Sequence, residues 1–170
     1  MEPIDLTLFV FRIAIGVVML AHAYNHVFGG GKIAGTTRWF ESLGMKPGWL
    51  HAWTASLIEF GAGILLLLGL LTPLAGAAVV GVMIVAWVTN HRSNGFFIFR
   101  PGEGYEYVMA LTAAGLLFTG TGGGYLSLDH SLSMFDPPSW PVALACAGVG
   151  IVGAVGLLVT FWRPTPKVTA

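Results

Sequence analysis

Residues 6–28 read LTLFVFRIAIGVVMLAHAYNHVF, an almost unbroken apolar run that holds one arginine and two histidines. A helix needs about 20 mostly apolar residues to cross the hydrocarbon core of a bilayer, so this run is long enough to span it. It follows Glu2 and Asp5 instead of a positively charged segment, and it is longer than the apolar core of a signal peptide. We therefore expect it to remain attached as a transmembrane helix.

The composition of the whole chain is typical of a membrane protein. Of its 170 residues 55% are hydrophobic and 9% are charged, whereas soluble domains carry about 25% charged residues. This length leaves room for short loops and for no separate soluble domain, so we predict one membrane domain over residues 1–170. Eight basic and eight acidic residues give no net charge, which excludes the basic surface of a nucleic-acid-binding protein.

Four further apolar runs follow the first one. We predict an all-α polytopic membrane fold with transmembrane helices at about 6–28, 52–71, 73–90, 105–120 and 142–162. Thr72-Pro73 separates the second helix from the third, and so short a link implies two adjacent antiparallel helices. The segment 121–141 contains three consecutive glycines and two consecutive prolines, so we expect it to be a loop.

The basic residues indicate the orientation, because cytoplasmic loops are enriched in Lys and Arg. In the five-span arrangement one side carries Lys32, Arg38, Lys46, Arg92, Arg100, Arg163 and Lys167. The opposite side carries Glu2, Asp5, Asp129 and Asp136 and has no Lys or Arg. We therefore predict a protein of the plasma membrane with its N-terminus outside and its C-terminus in the cytoplasm.

Ionisable side chains inside a membrane are costly and usually face the interior of the helix bundle. In this chain they are Arg12, His22 and His26 in the first helix, Glu59 in the second, His91 at the end of the third and Glu106 at the start of the fourth. A rise of about 1.5 Å per residue places the histidines and both glutamates in the cytoplasmic half of the bilayer. We expect these side chains to form one polar cluster there.

The cluster is compatible with several kinds of site. Histidines and carboxylates could bind a divalent metal, pass protons, or hydrogen-bond the carbonyl group of a quinone. For a metal, His22 and His26 are weak candidates, because an HxxxH pair still needs a third ligand. In the structural alternative the carboxylates only fix the register of the helices, with Arg12 and Glu59 as the candidate ion pair although about 10 Å separates their levels. Otherwise we expect Arg12 to extend toward the outer surface or to pair with Asp5 or Asp129.

The loops offer candidates for lipid contact and no nucleotide motif. Lys32, Arg38, Arg92 and Arg100 are placed to bind lipid phosphate. The run Gly29-Gly30-Gly31-Lys32 lacks the spacing of a P-loop, so we interpret it as the turn that leaves the first helix. Asp129-His130 is interpreted as a loop turn as well.

Small residues four positions apart let helix backbones approach closely. They occur in Ala77/Gly81, Ala110/Ala114, Ala143/Ala147 and Gly150/Ala154. We expect packing inside the bundle, with a homo-oligomer interface as the alternative. The single cysteine, Cys146, excludes an intrachain disulfide and is expected to be an ordinary apolar residue of a helix.

Several pieces of the sequence, taken in order, resemble the DoxX family of small bacterial membrane proteins over about residues 6–130. They are Arg12 and Gly16 with the stretch 22–32, then Trp39-Phe40-Glu41-Ser42-Leu43-Gly44, Glu59 with Gly61, Gly63, Gly69, Leu70 and Thr72-Pro73, Glu106, and Gly122-Gly123-Gly124 before Leu126-Ser127-Leu128-Asp129. The resemblance implies a four-helix transmembrane bundle, to which residues 142–162 add a fifth, C-terminal helix. It also implies that Arg12 and Glu59 correspond to the family's intramembrane Arg and Glu.

Relatives implied by this resemblance include the small membrane subunit of thiosulfate:quinone oxidoreductase and proteins linked to oxidative stress and thiol metabolism. We therefore expect an accessory membrane subunit of a redox system, with a quinone or a proton relay at the cytoplasmic side of the bundle and with other membrane or peripheral subunits as partners. Covalent cofactors, haem and flavin are not expected, because the chain has no cysteine pair, flavin motif or haem ligation pattern. Whether the chain is itself catalytic stays open.

Two other functions compete with the redox hypothesis. In a small-solute transporter the same polar face would line a path, although no internal repeat of the usual transporter kind is evident. In a structural subunit the polar residues would only lock helices together, and the fifth helix would be a surface for docking partners.

Overall fold

The first helix begins close to where the apolar run predicts it. In the computed structural model, which describes residues 1–135 and 138–164, α1 covers Pro3–Phe28. Pro3 occupies the first turn, where its missing N–H costs no helical hydrogen bond. The Asp5 carboxylate accepts a hydrogen bond from the Glu2 N–H over 2.6 Å and so closes the start of the helix.

The remaining helices follow along the chain as α2 Lys32–Ser42, α3 Gly48–Leu68, α4 Thr72–Ala86, α5 Glu106–Thr121, α6 Leu128–Ser131 and α7 Trp140–Phe161. A π-helical turn, Trp87–His91, continues α4. α1 packs on α3, while α4 lies in the middle and contacts α3, α5 and α7. The predicted all-α fold is confirmed, and α2 is a helix that the sequence patterns did not predict.

Four helices within the described residues are long and apolar enough to cross a membrane. They are Pro3–Phe28, Gly48–Leu68, Thr72–His91 and Trp140–Phe161. α5 has 16 residues, which corresponds to about 24 Å of helix against a hydrocarbon core of about 30 Å. The transmembrane helix expected at 105–120 therefore exists as a helix, and its crossing of the bilayer stays a prediction.

The outer surface of the bundle is apolar, as lipid requires. On α7, Leu144, Val152 and Val159 are 67%, 70% and 71% exposed. Such a row of exposed aliphatic side chains is unfavourable in water, whereas lipid chains accept it. The chain is a multi-pass membrane protein.

Basic residues gather at one end of the bundle, which we call the basic end and define by Lys46, Arg92 and Arg163. The Arg163 N–H donates to the Gly44 carbonyl over 2.7 Å. The guanidinium of Arg92 lies 5.1 Å from the centre of the Trp162 ring, a cation–π contact. These contacts bring the α2–α3 connection, the π-helical turn and the end of α7 together.

Acidic residues occupy the other end, which we call the acidic end. A pocket of about 500 Å³ there is lined by Glu2, Asp5 and Asp129. Lys46, Arg92 and Arg163 thus lie at the end opposite to Glu2, Asp5 and Asp129, whereas Glu41 and Glu103 lie on the side of the basic end. Which end faces the cytoplasm stays a prediction. Asp136 and Lys167, which also entered that orientation, lie outside the described residues.

Small residues hold the long helices in backbone contact. The pairs are Gly16 with Gly63 between α1 and α3, Gly76 with Gly115 between α4 and α5, and Ala77 with Gly150 between α4 and α7. The small residues expected at Ala77/Gly81 and Gly150/Ala154 therefore pack within the chain, where Ala77 and Ala154 are buried. A homo-oligomer interface stays a prediction.

This packing predicts opposite outcomes for two glycines of α7. A Cβ atom on Gly150 would collide with the Ala77 carbonyl oxygen, whereas a Cβ on Gly148 meets no atom within 4 Å. We expect Gly150→Val to lower the free energy of unfolding by about 1–3 kcal/mol, the usual cost of overpacking, and Gly148→Val to leave it nearly unchanged. Denaturant titration of the purified protein in detergent measures both, and equal losses would contradict this packing.

Candidate functional site

A cavity of about 1020 Å³ opens between α1, α2, α3, α4 and α7, on the side of the basic end. Its polar lining includes His22, Asn25, His26, His51, Glu59 and Tyr107. The opposite wall is apolar and is formed by α4 and α7, with Ala77, Gly81 and Gly150 among its residues. Pockets for organic ligands measure about 300–1,000 Å³, so this cavity has room for a whole ligand.

The central polar contact of the cavity joins α1 to α3. Nδ1 of His26 lies 3.1 Å from Oε2 of Glu59, and the two side chains are 14% and 5% exposed. Neither atom has a hydrogen-bond partner within the described residues, because the contact is not aligned as a hydrogen bond. Buried polar atoms are normally paired, so both atoms retain the capacity to bind a ligand.

Aromatic side chains of α2 cover this pair. The rings of Trp39 and Phe40 lie 6.4 Å and 6.3 Å from the His26 ring. Phe40 is buried, and the three glycines before α2 turn the chain back so that this short helix closes the cavity. The site therefore depends on a helix that hydropathy alone did not identify.

His22 lines the same cavity as His26 but is exposed. Its ring lies 6.3 Å from the ring of Tyr107 in α5, in a nearly parallel arrangement. Among the described residues no three His, Cys, Asp or Glu side chains come close enough to hold a metal ion. The weak metal candidates His22 and His26 thus lack a third ligand of these types in the described part of the chain.

His91 also lines the cavity, yet both of its ring nitrogens are engaged. Nδ1 lies 2.9 Å from the Glu103 carbonyl oxygen and Nε2 lies 3.2 Å from the side-chain amide nitrogen of Asn90. In the neutral ring Nδ1 donates to the carbonyl and Nε2 accepts from the amide, which satisfies both atoms. His91 therefore fixes the loop after the π-helical turn and has no free nitrogen for a ligand.

Glu106 was expected in the polar cluster, and the structure places it elsewhere. It is absent from the cavity lining, and its Oε2 accepts a hydrogen bond from the Ile98 N–H over 3.2 Å. As the first residue of α5, its carboxylate also interacts favourably with the N-terminal end of that helix. Glu106 closes the loop before α5 and does not join the site.

The candidate ion pair between Arg12 and Glu59 is not formed. Arg12 is fully buried and donates to the carbonyl oxygens of Leu66 and Leu126, each over 2.6 Å. Leu66 lies seven residues beyond Glu59 on α3, which places it about 10 Å nearer the acidic end. The Leu66 carbonyl in the last turn of α3, which also accepts the Gly69 N–H, is within reach of the guanidinium, and the Glu59 carboxylate is not.

The negative charge that influences Arg12 is Asp129, which the sequence analysis kept with Asp5 as an alternative partner of Arg12, while the capping role of Asp129 was not predicted. Asp129 is 2% exposed, and its carboxylate accepts the N–H groups of Leu71 and Thr72 over 2.7 Å and 2.8 Å. It interacts electrostatically with the buried Arg12. This aspartate therefore caps α4 and holds the turn between α3 and α4, at the opposite end of the molecule from the cavity.

His51 is a residue that the sequence reading missed. It is 3% exposed, it lines the cavity, and its Nε2 has no hydrogen-bond partner in the described part of the chain. It lies eight residues before Glu59 on α3, with Ala55 between them at the same spacing of four. Residues four and eight positions apart lie near the same face of a helix, so this spacing could have predicted that His51 lies near the face of α3 that carries Glu59.

The basic residues proposed for lipid contact divide into two groups. Lys32 and Arg38 lie on the rim of the cavity. Arg92 and Arg100 belong to the exposed loop after the π-helical turn. All four are exposed, and their contact with lipid phosphate stays a prediction.

Comparison with known proteins gives one result. The family model described as DoxX matches residues 7–92, about half of the chain. These residues cover α1 to the end of the π-helical turn, so α5 and α7 lie beyond the match. No curated protein and no solved structure matches the chain.

Proposed function

Because the chain belongs to the DoxX family, we propose that it is an accessory membrane subunit of a redox system and that its cavity binds a quinone. The observation that carries the proposal is the His26–Glu59 contact, whose atoms are buried and unpaired by hydrogen bonds within residues 1–135 and 138–164. A buried acid and a buried base that face an apolar cavity match a ligand with a polar ring and an apolar tail.

The chain's own residues would bind this ligand and carry protons. A quinone takes up two electrons and two protons when it is reduced. His26 and Glu59 are both proton-exchanging groups at the cavity, and either could exchange a proton with the ligand. The electrons would come from a partner subunit.

The lining of the cavity supports an amphiphilic ligand. The polar side chains His22, His26, His51 and Glu59 lie on α1 and α3. The helices α4 and α7 contribute alanine, glycine and valine residues. An aromatic head beside His26 and Glu59 would contact Phe40, and a tail would lie along the apolar wall. The C-terminal helix α7 would then form part of the site in addition to any contact with partners.

We also propose that the basic end faces the cytoplasm. Lys46, Arg92 and Arg163 meet there, and positive residues are enriched on that side of membrane proteins. The cavity would then take protons from the cytoplasmic side of the plasma membrane. Asp5 and Asp129 at the acidic end would face outward.

Ligand binding is the first test. We expect a decyl-tailed benzoquinone to quench the tryptophan fluorescence of the purified protein in nanodiscs in a saturable manner. Trp39 lines the cavity and Trp140 is a 79% exposed residue of α7 outside its lining. The saturable part of the quenching should be lost in Trp39→Phe and retained in Trp140→Phe.

Partners are the second test. Gentle purification from native membranes should bring down redox subunits, and an optical spectrum of that sample should show their cofactors. Quenching that rises linearly without saturation, together with a colourless preparation free of companion subunits, would refute the proposed function.

A further inference from the structure

The polar lining of the cavity contains a second binding point at His51. Its ring packs between Phe40 and Phe161, with centroid distances of 6.3 Å and 5.1 Å. Its Nε2 is buried and has no partner among the residues that the structure describes. An unpaired buried nitrogen is costly, and a ligand in the cavity would satisfy it.

Whether Nε2 of His51 is a donor or an acceptor follows from the hydrogen-bond partner of the other ring nitrogen. The backbone carbonyl of Lys46 is a hydrogen-bond partner of the imidazole. A carbonyl oxygen only accepts, so the nitrogen that faces it carries the proton. The apolar neighbours Phe40 and Phe161 favour an uncharged ring, in which the remaining nitrogen, Nε2, is an acceptor.

His51 and His26 both lie next to the same aromatic side chain, Phe40. The ring centre of Phe40 is 6.3 Å from that of His26 and 6.3 Å from that of His51. The two imidazoles are therefore at most twice that distance apart. A planar ring that lies beside Phe40 and carries polar groups on opposite edges would reach both points.

We propose that His51 accepts a hydroxyl group of the ligand and that the cavity therefore binds the reduced, dihydroxy form of a quinone more tightly than the oxidised form. This inference rests on the proposed function. His51 Nε2 is an acceptor without a hydrogen-bond partner within the described residues, whereas Glu59 Oε2 lies 3.1 Å from His26 Nδ1. The reduced ring offers an O–H donor to His51, whereas the carbonyl of the oxidised ring is an acceptor and leaves this nitrogen unsatisfied.

This preference has a consequence for the redox reaction. A site that binds the reduced form more tightly makes the bound quinone easier to reduce, because binding stabilises the product of reduction. The chain would thus favour electron transfer from its partner into the quinone.

The test compares the affinities of the two forms under anaerobic conditions. A decyl-tailed benzoquinone and its chemically reduced hydroquinone are titrated into full-length protein in nanodiscs by calorimetry. We expect the hydroquinone to bind about fivefold to tenfold more tightly, the effect of about one hydrogen bond. His51→Phe should weaken hydroquinone binding by about that factor and leave quinone binding unchanged, because phenylalanine fills the space without an acceptor.

A conservative variant separates hydrogen bonding from packing. His51→Gln keeps an acceptor oxygen and should retain part of the preference for the hydroquinone. Equal binding of both forms by the unaltered protein, or an equal loss of both affinities in His51→Phe, would overturn the role of His51 and leave the quinone site standing. Binding of neither form by the unaltered protein would overturn the proposed function and this inference together.

Discussion

Replacement of Arg12 by methionine is expected to lower the free energy of unfolding by about 3–6 kcal/mol, because two hydrogen bonds from a buried charged group are lost at about 1.5–3 kcal/mol each. The buried guanidinium donates to the carbonyl oxygens of Leu66 and Leu126 and so joins α1 to the end of α3 and to the segment before α6. Methionine keeps much of the apolar stem but cannot donate to either carbonyl. Denaturant titration in detergent measures the loss.

A matched arginine provides the control for this experiment. Arg163 is exposed, and its guanidinium donates to the nearby carbonyls of Val159 and Trp162. Arg163→Met removes these local contacts but not the backbone bond to Gly44, and it should change the stability by no more than about 0.5 kcal/mol, as is usual for surface substitutions. Similar losses in Arg12→Met and Arg163→Met would show that the buried hydrogen bonds of Arg12 do not stabilise the fold.

The second large effect is expected from Glu59→Gln. If Glu59 carries a proton to the ligand, quinone reduction by the assembled system should fall by about 10²- to 10⁴-fold, the contribution of a positioned acid or base. Glutamine preserves the shape and polarity of the side chain, so assembly should be retained. The measurements are quinone reduction in membranes and recovery of the complex by affinity purification.

Glu41→Gln on α2 removes the same charge from an exposed position and should leave the rate unchanged. Normal quinone reduction in Glu59→Gln would refute the proton role. Loss of the complex itself would assign Glu59 to the structural function that the sequence reading kept as an alternative.

Hydropathy was sufficient to locate the long helices. α1, α3, the helix formed by α4 with its π-helical turn, and α7 all lie where uninterrupted apolar runs predict them. α2 was missed because Lys32–Ser42 is too short and too polar to register as a span. The helix is amphipathic, and its apolar residue Phe40 is buried against the cavity.

The candidate site was predictable to the extent that it depends on helix faces. His22, His26, Glu59 and His91 line one cavity, and their spacing along the helices indicated this. The hydrogen-bond partners of the ionisable side chains were harder to predict, because some of them are backbone groups at helix ends. Arg12 donates to carbonyls that no pattern of side chains reveals.

His51 and the capping role of Asp129 were overlooked for different physical reasons. His51 lies near the start of α3, where a histidine resembles an ordinary interfacial residue, and only the return of α2 and α7 buries it. Asp129 lies in a glycine-rich connection, and its capping role depends on amides 57 and 58 residues earlier in the chain. Contacts of such long range are not encoded in local patterns.

The long sequence separation between Asp129 and the amides that it binds has a consequence for the synthesis of the protein. Translation adds about 5–20 residues per second, so the Leu71 amide is synthesised several seconds before the aspartate that binds it. Leu71 has a left-handed backbone, φ 49°, a conformation that costs such a residue about 1–2 kcal/mol. The newly made α3–α4 turn therefore lacks its capping carboxylate until Asp129 has been added, and its final geometry is set only then.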